Sequence, residues 1–440
     1  MKVTRRVFAL LAAAIAFSAS AEAATMKLSL DDALKMAHER NSSIKAARAR
    51  IDQADARIVQ SRQAYLPKVQ FSETYVHTTD PGANLVFKLQ QEIANPATDF
   101  APNALNHPPA ISDFQTTIGV VQPLINVDAM IGRSVAKSAK NAQVFMADRA
   151  VETIDLNIKK AYYGLIMARK NVAAIEQSIV IIHGYSTEAD KAYRAGILTK
   201  SDKLSTQVRL AELREQKLMM QAEMKNAEDA LRMMLNLDRA DSIVPTGDLV
   251  VDGSAPAKAA PAATSGRSDL KALEAYQEVT GYQHDMAKAQ YLPRLNAFAQ
   301  QNWHDSALFG TEGSSWTVGL NMQWNLFDGM ATSGKVQEAK AQQLEARYNY
   351  EAAREQGAME VNKARRAMMT AKERIDVSRQ SLDEARVSLD FIGEQFRTGM
   401  AMSFELLMRE QAFTYAKMRI NQAKYDYCVA KSELEYFGGR

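Results

Sequence analysis

The chain carries two versions of one pattern. Gln63-Ala64-Tyr65-Leu66-Pro67 returns as Gln290-Tyr291-Leu292-Pro293, and Tyr193-Arg194-Ala195-Gly196 returns as Phe396-Arg397-Thr398-Gly399. In each version a polar helix runs into Leu-Pro, two alternating strand-like segments follow, and two very long helices meet at the glycine. The stretch from Gln122 to Gly196 nearly equals that from Gln323 to Gly399, whereas Tyr65 to Gln122 is much longer than Tyr291 to Gln323. The extra length lies between the first two strands, from about His77 to Ser112. Pro81, Pro96, Pro102, Pro108 and Pro109 crowd that segment, so it is expected to be irregular and exposed. Gly253 to Gly266, rich in Ala, Pro and Ser, reads as a linker between the copies. The expected organisation is a signal segment over 1–23, a first repeat over 24–236, a linker over 237–267 and a second repeat over 268–440.

Helical periodicity is strongest in the second copy. Val361, Ala364, Met368, Ala371, Ile375, Ser378, Leu382, Ala385, Leu389, Ile392 and Phe396 recur at gaps of three and four, a heptad seam. The first copy shows it from Ile158 through Tyr162, Leu165, Val172 and Ile175 to Ile182, and the helices returning after Gly196 and Gly399 carry seams of their own. These are coiled-coil hairpins. One continuous helix from about Asp128 to Tyr193 would be a rod of roughly 100 Å, longer than a globular domain needs.

Four segments alternate like strands: about Lys68 to Val76, Asp113 to Val121, Arg294 to Trp303 and Ser315 to Asn325. In the last, Trp316, Val318, Leu320, Met322 and Trp324 share one face, while Thr317, Gly319, Asn321 and Gln323 share the other. Segments of about nine to eleven residues with this alternation suit a transmembrane β-barrel. Strand pattern alone leaves a half-buried soluble sheet equally open. Four strands cannot close a barrel, because closure takes about eight and an open edge in lipid leaves backbone groups unpaired. Three chains would supply twelve. The fold class expected is therefore mainly α with a transmembrane β part: helical hairpins forming an α-barrel, and four strands per chain entering a trimeric twelve-stranded β-barrel.

Lys2, Arg5 and Arg6, the apolar run Val7 to Phe17 and Ala21-Glu22-Ala23 read as an export signal with a small-residue cleavage site. Thr4-Arg5-Arg6-Val7-Phe8 also resembles a twin-arginine signal. Without Lys2, Arg5, Arg6 and Glu22, the balance of 54 basic and 51 acidic residues is close to neutral, and no basic stretch offers a nucleic-acid face. Cys428 is the single cysteine; its helical spacing beside Tyr425 and Ala430 suits a small buried hydrophobe. His38, His77, His107, His183, His284 and His304 are scattered without metal-site spacing and read as solvated surface residues. No catalytic residue, cofactor site or metal site is identified. Met219-Met220, Met233-Met234, Met368-Met369 and the Met400/Met402 pair have thioethers that could favour soft metals; packing in seams or subunit contacts is the simpler reading.

The order of these elements resembles the TolC family of outer-membrane factors, the exit ducts of bacterial efflux pumps and type I secretion systems. Leu28-Ser29-Leu30-Asp31-Asp32-Ala33-Leu34, the two Leu-Pro turns into strands, Leu326-Phe327-Asp328-Gly329 and the two glycine-centred tips carry the resemblance. It implies a homotrimer in outer-membrane lipid, a periplasmic α-helical tunnel closed at its inner end by the tips, and an equatorial girdle matched by the linker and Tyr436 to Arg440. It further implies a periplasmic adaptor, or membrane fusion protein, and an inner-membrane transporter of the RND or ABC class. Gly196, Ile197, Leu198, Gly399, Met400 and Ala401 would then dock the adaptor. Asp202 and Glu405 match acidic positions near the constricted end, and like charges gathered there attract cations; a helix N-terminal charge would also account for each. With Ser201 and Phe396 they form the expected periplasmic gate. Phe396 and Ala401 stand where some members carry a tyrosine and an arginine that tie neighbouring hairpins, so the latch is incomplete, and apolar contacts among Phe396, Met400, Met402 and Phe404 are expected to supply closure.

The expected function is a passive outer-membrane channel of a tripartite efflux pump. A type I secretion duct and, from another class, a periplasmic coiled-coil scaffold are the alternatives.

Overall fold

The computed structural model describes residues 25–237, 242–252 and 266–439. The expected signal segment and most of the linker lie outside the described residues.

In chain order the elements are β1 (Thr25–Leu28), α1 (Leu30–Arg40), α2 (Ser42–Gln60), β2 (Lys68–Thr78), α3 (Pro81–Gln90), α4 (Pro102–Asn106), β3 (Ile111–Ile125), α5 (Val127–Arg194) and α6 (Lys200–Leu235). There follow β4 (Ser242–Pro245), α7 (Ser268–Ala289), β5 (Arg294–Asp305), β6 (Gly313–Gln323), α8 (Ala331–Arg397) and α9 (Ser403–Phe437). The long helices match in pairs: 68 and 36 residues in α5 and α6, 67 and 35 in α8 and α9. At 1.5 Å per residue α5 and α8 are each roughly 100 Å long.

The structure divides into two compact units. One holds residues up to Ala49, Phe145–Lys271 and Ala352 onward; the other holds Arg50–Val144 and Ala272–Glu351. Each unit draws on both halves of the sequence: the four-stranded sheet falls in one, and both hairpin tips fall in the other with β1 and β4.

The second unit contains an antiparallel sheet in the order β2-β3-β5-β6. Its register sets Val69 beside Val120, Val120 beside Ala299 and Ala299 beside Val318. Directly paired residues share a face, so Val69, Phe71, Tyr75, Ile118, Trp316, Val318, Leu320 and Met322 form one apolar surface. Lys68, Gln70, Thr117, Gln300, Asn302, Asn321 and Gln323 form the polar one. Trp316, Val318, Leu320 and Met322 are all exposed. On the polar face Thr117 Oγ1 donates to Asn302 Oδ1 at 2.8 Å. There Phe298 lies over Gly319, where an added Cβ would fall 2.9 Å from the ring. The register of β3 against β5 shifts between Pro123 and Ile125, beyond the last β2 partner at Val121, so the proline interrupts a ladder on one side only.

The β2–β3 connection differs from the irregular segment expected. It contains α3 and α4, with Pro81 and Pro102 in their first turns, where proline's missing N–H costs nothing. Asp80 caps α3 by accepting from Ala83 N at 2.7 Å.

In the first unit the seams are buried as the heptads require. Ile158, Tyr162, Leu165, Leu231, Leu235, Met368, Ile375, Ala423 and Tyr427 form one cluster with Leu28 and Ile243. The last two belong to β1 and β4, a parallel pair with Thr25 opposite Ser242. Tyr162 Oη donates to the Leu28 carbonyl at 3.0 Å and accepts from Gly247 N at 3.0 Å. Cys428 is buried here, and burial pushes its thiol up to about 11. The methionine pairs split by helical phase: Met220, Met234 and Met368 turn toward the seams, while Met219, Met233 and Met369 are exposed. Among the histidines the surface reading fails at His304, which is buried with its Nδ1 2.9 Å from Asp113 Oδ2. Both lie on the polar sheet face, and each satisfies the other's hydrogen-bonding group.

Candidate functional site at the hairpin tips

Both hairpins turn through the same backbone motif. Gly196 and Gly399 have φ of +75° and +78°, the left-handed region that glycine enters without a Cβ clash. At the first tip Gly196 N donates to Tyr193 O at 3.0 Å and Ile197 N to Ala192 O at 2.9 Å. At the second, Gly399 N donates to Phe396 O at 3.1 Å and Met400 N to Gln395 O at 2.8 Å. This is the Schellman pattern, which satisfies the last carbonyls of a helix.

The six residues expected to dock a partner divide by exposure. Ile197 and Met400 are 65% and 74% exposed, Leu198 is half-buried, and Ala401 is buried. Ile197 Cγ2 lies 3.1 Å from where a Cβ on Gly399 would sit, so the two tips touch. Ala401 is therefore a packing residue of the tip and not part of its outer surface.

Asp202 does two things at once. Its Oδ2 accepts from Thr199 Oγ1 at 2.6 Å, while its own N–H donates to Thr199 Oγ1 at 3.1 Å, a reciprocal cap of α6. Its Oδ1 accepts from Ser403 Oγ at 2.6 Å and Ser403 N at 3.4 Å, at the start of α9. The hydrogen bonds from Ser403 and then Thr199 hold the carboxyl below its usual range. Glu405 Oε2 accepts from Met402 N at 3.4 Å at the same helix start. Ser201 is exposed, its carbonyl accepting from Ser205 Oγ at 2.9 Å.

Phe396 is buried in the seam, edge-on to Tyr185 with centroids 6.0 Å apart. Met400, Met402 and Phe404 are exposed. Of the apolar residues expected to close the tip, Phe396 is thus committed within the chain and the other three are free to meet other surfaces.

Several side chains at this end went unmarked in the sequence. One heptad above Asp202 and Ser403, Arg209 Nε donates to Glu410 Oε2 at 2.8 Å. Glu410 is fully buried and also accepts from Thr414 Oγ1 at 2.7 Å. The Arg397 guanidinium lies 5.6 Å over Tyr185 and 3.3 Å from Glu188 Oε2. Lys203 pairs with Asp190 at 2.6 Å, and that hydrogen bond holds the Asp190 carboxyl down. The shared heptad step from 202 to 209 and from 403 to 410 was the one signal of the buried pair.

The model of the family described as outer membrane efflux protein matches residues 33–237 and 260–439. The chain is similar to the alkaline protease secretion protein AprF of Pseudomonas aeruginosa, at 22% identity over 341 residues that take in 74% of this chain and 69% of that one. It is also similar to the outer membrane efflux protein BepC of Brucella suis biovar 1, at 20% identity over 444 residues that take in 98% of this chain and 90% of the relative. Its fold is similar to the crystal structure of the Campylobacter jejuni CmeC outer membrane channel, with a TM-score of 0.81 and 17% identity, covering 93% of this chain and 85% of the other.

Proposed function

The chain belongs to the outer membrane efflux protein family, and on that premise we propose that three copies form a passive channel-tunnel, the exit duct of a tripartite pump. It is an efflux channel of the outer membrane with a periplasmic part, and not an enzyme. The observation that carries the trimer is the sheet. Its order leaves β2 and β6 as edges, its apolar face is exposed, and unpaired edges in lipid cost several kcal/mol per group. Twelve strands from three copies would remove every edge. The matched helix pairs support an internal duplication, with hairpins from both halves building the tunnel wall.

In this reading the tips face the periplasmic end. Ile197, Leu198 and Met400, turned by Gly196 and Gly399, dock an adaptor, behind which an RND or ABC transporter supplies the energy. Asp202 and Glu405 line the entrance, with Ser201 beside them. Met400, Met402 and Phe404, and not the buried Phe396, supply apolar contacts between copies. The similarity to AprF, named for protease secretion, favours a second reading in which the same duct serves polypeptide export.

Outer-membrane fractionation followed by mass measurement in detergent tests the assembly: a stable trimer is expected, and a soluble monomer overturns it. Deleting the gene separates the two cargo readings, since efflux predicts intracellular drug or dye accumulation and secretion predicts loss of an exported protein.

A further inference from the structure

The segment between β2 and β3 is folded onto the polar face of the sheet. Asn84 and Gln91, two helical turns apart, are buried to 2% and 1% exposure. Gln91 Nε2 donates to the Ser112 carbonyl and to Asp113 Oδ1, both at 2.8 Å, and the other oxygen of Asp113 holds His304. Asn84 Nδ2 donates to the Pro109 carbonyl at 2.7 Å. The Gln90 backbone crowds Gly313 at the start of β6, where an added Cβ would fall 1.7 Å from its carbonyl oxygen. The segment therefore crosses the polar face from β3 to β6, at the strand ends opposite those that lead into the long helices.

Asp113 and His304 are the diagnostic pair. They sit on the face that should line water, yet they are 1% and 4% exposed; what shields them is this chain's own segment. Opposite Asn84 and Gln91 on the helix, Val86 and Leu89 are 48% and 53% exposed, and Ile93 just beyond is 51% exposed.

We propose that Pro81–Gln91 is a plug seated inside the barrel mouth, clasped by Asp113, which His304 braces from behind, and that Val86 and Leu89 of the three copies meet around the axis as an apolar constriction at the exit. This rests on the trimeric channel reading: if β2 of one copy joins β6 of the next, the polar face closes inward and carries α3 with it. The occupant of the exposed face of α3 is then the same face of the other two copies. A hydrophobic ring of this kind restricts flow by excluding water.

The test uses the full-length protein in planar bilayers. Val86→Cys is labelled from the face of the barrel mouth with a bulky, impermeant thiol reagent; unsubstituted protein, whose Cys428 is buried, is the control. Labelling should lower single-channel conductance by roughly two-fold or more, while Asn84→Ala with Gln91→Ala, which frees the clasp, should raise it by a similar factor. A bifunctional thiol reagent should also link Val86→Cys copies into covalent trimers. Complete labelling with unchanged conductance and no cross-linked trimers would place α3 outside the pore and overturn the inference alone. Failure of the unsubstituted protein to form any channel would overturn the trimeric reading, and the plug with it.

Discussion

Asp202 shows how one side chain can serve several structural ends. A carboxylate near a helix start is commonplace, and a dipole interaction there is worth about 0.3 to 1 kcal/mol. Here the same group also receives Ser403 from the other hairpin. Because its folded pKa is depressed below 3.8, its contribution is complete at neutral pH and is lost as pH falls through the folded value. Asp202→Asn should therefore lower amide-exchange protection at both tips near pH 7, by about 1 kcal/mol, the scale of one weakened side-chain hydrogen bond. The difference from the parent protein should shrink below pH 3.8, and a difference that persists undiminished there would assign the effect to something other than the charge. The capping role was legible, since Thr199 precedes Asp202 by three residues. The bond to Ser403 was not, because no local period spans residues from different hairpins. Phe396 shows the converse. Its heptad position already placed it in the seam, and packing on Tyr185 outweighs any demand from the tip.

At the scale of elements, the seams and strands were legible because burial repeats a period over many turns. The expected helix from about Asp128 to Tyr193 is found as Val127–Arg194, and the strand from about Arg294 to Trp303 as Arg294–Asp305. The helix α3 was missed because proline density reads as irregularity, although proline in a first turn starts a helix as readily as it breaks one. β1 and β4 were missed because four residues hold too little pattern, and their identity as strands lies in each other. The Arg209–Glu410 pair joins α6 to α9 in the interior, where leaving one charge unpaired costs about 3 to 5 kcal/mol. Arg209→Ala should thus loosen the packing of the two hairpins strongly. Arg209→Met with Glu410→Leu should restore the melting temperature to near the parent value or above it. If the double variant melts as low as the single one, the pair contributes net stability beyond satisfying itself.

At the scale of the whole molecule, the proposed docking tips can be separated from the turns that form them. Gly196→Glu and Gly399→Glu put a charge beside exposed Ile197 and Met400 and strain a left-handed residue by about 1 to 2 kcal/mol, little against the long seams behind them. Transport and adaptor cross-linking should fall to background while trimer yield in the outer membrane stays normal. Normal transport by an assembled variant would remove the tips from the docking surface, and failed assembly would assign the glycines to folding. What sequence could not reach at this scale was the division into units, since contacts that gather both halves of a chain into one body are set by packing and not by any local period.

The parallel pairing of β1 with β4 ties Thr25–Leu28 to Ser242–Pro245, and so sets a timetable. A chain delivered from its beginning presents β1 and, some two hundred residues later, the strand partner it has among the described residues. Until then the donors of β1 have no ladder to join, while β2, β3 and the first hairpin are already emerging and searching for neighbours. Closing so long a loop is slow in proportion to the entropy it must surrender. Thr25–Leu28 can therefore be fastened only after the first hairpin has been made, and until then β1 stands as an open edge.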